Sequence, residues 1–177
     1  VDKRHMANRY SKTRSYSQTL RCGVADGMAM IANNQEIFSK CSFGKIDNVR
    51  IASVRELLTN SGDTKMWASI ADNASSIAQT APSEFLRIFE NTLKITDNNP
   101  FIILAEESDG DSFFQKDYMA GFRWALADLA WDKELFSRAS IALGELATHE
   151  PVRPSGQNYA LETILHTVLP WRPQTLA

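Results

Sequence analysis

The sequence predicts an all-α fold, with antiparallel helical hairpins either stacked as a short α-solenoid (HEAT- or TPR-like) or gathered into an irregular helical bundle. Three observations carry this reading. Apolar residues recur at three-and-four spacing in one stretch after another. Alternating β-branched runs are nearly absent, and Gly (8) and Pro (6) are few among 177 residues. The stretch Met119–His149 reads as a complete hairpin, two helical stripes separated by about one turn of chain, so its arms must fold back antiparallel.

Taken in order, residues 1–14 form a basic lead-in, partly tag or linker, and residues 15–177 a single repeat-like helical domain. Helix one is expected over Ser17–Ala32, capped by Ser15 or Ser17, with Leu20, Val24, Met28 and Ile31 as its buried stripe. Gly23 and Gly27, four apart, are expected to let a neighbouring helix approach. Residues 33–46 form a connector pinned by Ile37 and Phe43. Helix two runs over Asp47–Leu58 with Asp47 as its cap and Val49, Ile51, Ala52, Val54, Leu57 and Leu58 as its apolar set. Residues 59–64 are a loop. Helix three covers Lys65–Gln79 as one piece, with Trp67, Ile70, Ala71, Ala74 and Ile77 on one side.

Helix four follows at Pro82, which suits a first helical position because its missing N–H is not needed there. Its apolar set is Phe85, Leu86, Ile88, Phe89 and Leu93. Phe101–Ala105 allows a helical turn or two, before an acidic loop and the Phe113-Phe114 anchor. The central hairpin follows. Its first arm carries Phe122, Ala125, Leu126 and Leu129, with Trp124 and Trp131 suggesting a second packed face. Its second arm carries Leu135, Ala139, Ala142, Leu143 and Leu146, with Asp132 as cap, a Glu134–Arg138 pair and Gly144 for close helix approach. A last helix spans Tyr159–Leu169, capped by Asn158.

Composition bounds the function. A net charge of −2 argues against a dedicated nucleic-acid binder, which is usually strongly basic. No apolar run approaches a membrane span, and no signal peptide is visible. Cys22 and Cys41 make no metal or redox spacing, which suits a reducing, cytoplasmic setting. Val1 is not an initiator methionine; His5-Met6 reads as a cloning scar or the chain as an internal piece, and an excised fragment of a longer protein is the favoured expectation.

The chemical motifs fail in turn. Gly44-Lys45 is not a phosphate loop, because position 39 is Ser where the first glycine belongs. The acidic run Glu106–Asp111 is not a calcium loop, because Lys116 falls where the bidentate glutamate is required. Its Glu106, Glu107, Asp109 and Asp111 are the acids a metal-dependent enzyme would use, but one flexible-looking loop preorganises them poorly. His149 and His166 have no partner at metal-ligand spacing. No catalytic residue, metal or cofactor is therefore assigned. The basic residues Lys3, Arg4 and Arg9 offer an interaction surface, to an acidic protein neighbour or, in the alternative reading, to nucleic acid phosphates.

Four segments together carry a resemblance: Leu20–Ala32, Trp67–Leu93 with its Ala81-Pro82 turn, Trp124–Leu146, and Leu169–Thr175 (LPWRPQT). From about residue 16 onward the chain resembles the helical-repeat portion of large bacterial multidomain proteins, some of them linked to phage defence. The resemblance implies a nucleotide-handling or effector module elsewhere in a parent chain. It also implies contacts with that parent's other domains or with another protein. Trp171, Arg172 and Gln174, in its most specific stretch, are candidate contact residues. The function expected is a non-catalytic scaffold or sensor segment.

Overall fold

A computed structural model describes residues 15–34, 36–38, 45–107, 117–149, 163–164 and 166–167. Among the described residues α-helices follow one another in the order α1 (Gln18–Asn33), α2 (Lys45–Leu57), α3 (Thr64–Ile70), α4 (Ala74–Thr80), α5 (Pro82–Leu93), α6 (Pro100–Glu107), α7 (Met119–Leu129) and α8 (Phe136–His149). There is no strand among the described residues, so the fold is all-α. Residues 163–164 and 166–167 are also helical, within the expected last helix. The connector residues 39–44, most of the acidic loop and the rest of that last helix lie outside the described residues.

The core is built around Trp67. It is wholly buried, and its ring meets Phe89, Phe101 and Phe122 at centroid separations of 5.7, 4.8 and 5.5 Å. The four rings come from α3, α5, α6 and α7, so one cluster fixes four helices at once. Each such pair adds ~0.5–1.5 kcal/mol beyond its buried area. The indole N–H, which must find a partner when buried, donates to Ser61 O at 2.7 Å. That bond ties the 59–63 loop over the cluster.

Helix-to-helix contacts run in two rows. In one row α1 packs on α4 and α4 on α7; in the other α2 packs on α5 and α5 on α8. Short polar devices set the joints. Ser17 caps α1 by accepting from Leu20 N, and Asp63 caps α3 by accepting from Lys65 N at 2.8 Å. Asn99, itself buried, donates from Nδ2 to the carbonyls of Thr92, Leu93 and Ile95, while its Oδ1 accepts from Phe101 N. One side chain thus satisfies the end of α5 and the start of α6. Asp117 accepts from Met119 N and Ala120 N and pairs with the buried Arg123. Asp132 accepts from Glu134 N at 2.8 Å, capping the turn that leads into α8.

Several expectations are corrected. Helix three is not one piece: a 3-10 turn over Ala71–Asn73 separates α3 from α4. The break lies where α7 crosses. At Gly121 the α7 backbone approaches so closely that a Cβ there would stand 1.9 Å from Ala71 O. The close approaches expected at Gly23, Gly27 and Gly144 are absent, for a Cβ at each would meet nothing within 4 Å. Asp47 is not a cap. The helix begins two residues earlier, and Asp47 pairs with Arg50 inside its first turns. Arg138 reaches Glu90 on α5 through two bonds of 3.0 Å, not Glu134, which lies in the turn before α8. Trp124 and Trp131 are 55% and 56% exposed, so they do not form a second packed face.

Candidate functional site

The largest departure from expectation is on α1, and it defines the site. The stripe expected to be buried faces outward: Leu20 is 51% and Val24 57% exposed, and Ile31 is also exposed. The face that docks is the alanine face, Ala25, Ala29 and Ala32, all buried. Alanines let α1 lie close to α4 but bury little apolar area, and polar hooks add to the attachment. Arg21 donates to Ser69 O, the Cys22 thiol donates to Asn73 Oδ1 at 3.0 Å, and Ser76 Oγ donates to Asp26 Oδ1 at 2.6 Å. An ordinary amphipathic helix buries its leucine and valine and turns its arginine and aspartate to water. Here Leu20 and Val24 face water while Arg21 is drawn in toward Ser69, and Asp26 stays exposed.

Helix α2 follows the same plan. Val54 and the adjoining Leu58 are buried against the fold, while Val49 and Leu57 are 59% and 47% exposed. Its hooks are arginines. Arg50 Nη1 donates to Thr80 O at 3.0 Å, at the end of α4 where Pro82 interrupts the backbone ladder. Arg55 Nε donates to Glu84 Oε1 at 2.8 Å. Glu84 also accepts from Arg87 at 2.7 and 3.0 Å, and these bonds, Arg87 first and Arg55 second, hold its carboxyl well below its usual range, at about 2. A carboxylate so locked serves as an anchor and is unsuited to proton transfer at neutral pH.

Between the outward stripes of α1 and α2 runs an apolar groove. Its floor is Val54, Ile70 and Ile77; its walls are Leu20, Val24 and Met28 on one side and Ser53 and Leu57 on the other. A second cavity continues it past Met28 to Ile31, Phe38, Ile46 and Val49. The two have volumes of about 420 and 440 Å³. The charged side chains lining them are Arg21, Lys45 and Arg50; no carboxylate lines them among the described residues.

Twelve large hydrophobic side chains are exposed among the described residues, and nine lie between Tyr16 and Leu57; the other three are Trp124, Trp131 and Ile141. Scattered exposed apolar residues are normal; here most of the described ones fall on or beside α1 and α2.

The residues singled out from sequence fall elsewhere. Lys3, Arg4, Arg9, Trp171, Arg172 and Gln174 all lie outside the described residues, as do Asp109 and Asp111; Glu106 is exposed at the end of α6. Among the described residues no group of three or more His, Cys, Asp or Glu side chains could hold a metal ion. No described helix is long and apolar enough to cross a membrane. Cys22 is half-buried, accepts from Gln18 Nε2 at 3.4 Å and donates to Asn73, so it acts as a tether. Sequence reasoning missed the groove because it took the bulkiest stripe of α1 for the buried one. The competing signal was readable: alanines at 25, 29 and 32, flanked by residues able to make side-chain hydrogen bonds. Comparison with protein-family models, with characterised proteins and with solved structures finds no match.

Proposed function

We propose that this chain is a non-catalytic helical scaffold segment whose first two helices form a contact surface for another protein or for another domain of a larger bacterial parent. One observation carries the reading: α1 and α2 attach through alanines and polar hooks and leave their apolar stripes to solvent. Leaving Leu20 and Val24 half exposed forgoes about 1 kcal/mol each compared with full burial. A surface that covered them would recover that energy.

The two rows of helix contacts support a stacked architecture. Hairpin α1–α2 lies on α4–α5, and α4–α5 on α7–α8, each burying its neighbour's face as in a short α-solenoid. The bacterial multidomain parent, and any part in phage defence, rest on the sequence resemblance alone.

The test is site-specific photo-crosslinking in cells that express the parent chain. A photoreactive phenylalanine analogue at position 24 is expected to join covalently to another polypeptide or another domain. The same analogue at Glu56, an exposed polar position on α2, is expected to give far less product. Equal capture at the two positions would remove the reading.

A further inference from the structure

We infer that the α1–α2 groove takes a single amphipathic helix from a partner protein, apolar at i, i+4, i+7 and i+11 and acidic along its flanks. This rests on the contact-surface reading above and goes further by naming the partner's chemistry.

Shape sets the secondary structure of the occupant. The walls are helices whose backbone groups are already paired, and the lining is almost wholly apolar. An extended peptide would bury N–H and C=O groups there with nothing to receive them, whereas a helix satisfies its own. Length agrees as well. The groove follows α1, whose 16 residues span ~24 Å, room for a helix of about four turns. The fold supplies an internal precedent: α2 seats Val54 and Leu58, four residues apart, against α4 and α5. A helix laid over α1 and α2 would repeat that arrangement one layer further out.

Charge selects among helices. The groove is lined by three cations and no carboxylate among the described residues. Arg50 already pairs with Asp47, while Lys45 is exposed at the far end. Acidic flanks on the incoming helix complement this lining. A second copy docked face to face would bring no carboxylate from the described lining of its own groove to meet Lys45.

The probe is a stapled helix of about 15 residues with leucines at those four positions and glutamates on its flanks, titrated against the full chain. Binding with a Kd below roughly 100 µM is expected. It should weaken about tenfold or more for a peptide with the leucines respaced, for one with lysine flanks, and for the Val24→Asp chain. Lys45→Glu should narrow the gap between the acidic and basic peptides. Trp124→Ser should change nothing, and thermal melts should show that each variant is folded.

Equal binding of the respaced peptide, or none up to roughly 1 mM by the folded chain, overturns the inference. So does a dimer that Val24→Asp dissolves, which gives the groove to a second copy, or Val24-dependent binding to phosphatidylserine vesicles, which gives it to a membrane. If the peptide fails while position 24 still crosslinks to a polypeptide, only the helix chemistry is wrong; if both fail, the contact surface is wrong too.

Discussion

Gly121→Ala should destabilise the protein by about 2–3 kcal/mol, while the same change at Gly23 or Gly27 should stabilise it. A Cβ at position 121 would stand 1.9 Å from Ala71 O and 2.8 Å from Ala71 C. Both are backbone atoms, so no side chain can swing aside. Relief requires α7 to move off the 3-10 turn by more than an ångström. Forced overpacking of this kind costs ~1–3 kcal/mol or more. The gain in helix propensity from Gly to Ala, about 1 kcal/mol, offsets only part of a cost at the upper end or beyond. Movement of α7 also loosens Phe122 from Trp67. At Gly23 and Gly27 the new methyl meets nothing within 4 Å, so the propensity gain of about 0.5–1 kcal/mol should appear unopposed. Urea unfolding of the three variants measures this directly. In a chain of this size Gly121→Ala should lower Tm by ~4–12 °C. If it unfolds within about 0.5 kcal/mol of the parent sequence, the crossing of α7 over Ala71 is wrongly placed.

Two further outcomes follow from the packing. Leu143→Ala should cost ~2–5 kcal/mol, because Leu143 is fully buried; denaturant unfolding reads this, and a loss below about 0.5 kcal/mol would put α8 on the wrong face. Glu84 should make stability fall in acid. Its folded pKa, about 2, lies below its ordinary 4.5, so its contribution is full above about pH 5 and is lost as the pH drops toward 2. The shift allows at most about 3 kcal/mol; solvent around the half-exposed Arg55 and Arg87 reduces it to about 1–2. Glu84→Gln should flatten the stability profile over that pH range, and an unchanged slope would show that the two arginines do not hold the carboxylate.

Periodicity located most of the helices well, because the stripes of α5, α7 and α8 are large, buried and unambiguous. Phe85, Phe89, Phe122, Leu126 and Leu143 all lie where three-and-four spacing puts them. Short-range chemistry was legible in part: Ser17 and Pro82 act where their neighbours in sequence put them, whereas Asp132 caps only the turn before α8, which starts four residues later at Phe136. Long-range chemistry was not. The break at 71–73 is linked to Gly121, fifty residues away, and Arg138 finds Glu90 across a helix interface. For α1 the period was right and the phase was wrong. Two stripes compete on that helix, and bulk alone favours Leu20 and Val24; the hooks that tip the balance, Ser69 O, Asn73 and Ser76, lie about fifty residues further on.

Equilibrium unfolding of the double variant Leu20→Ser/Val24→Ser tests that phase most directly. Both side chains are more than half exposed, so the change should leave stability within about 0.5–1 kcal/mol of the parent sequence. A loss of about 4 kcal/mol or more, as for two buried aliphatic residues, would mean that the apolar stripe of α1 faces the core and that no groove exists.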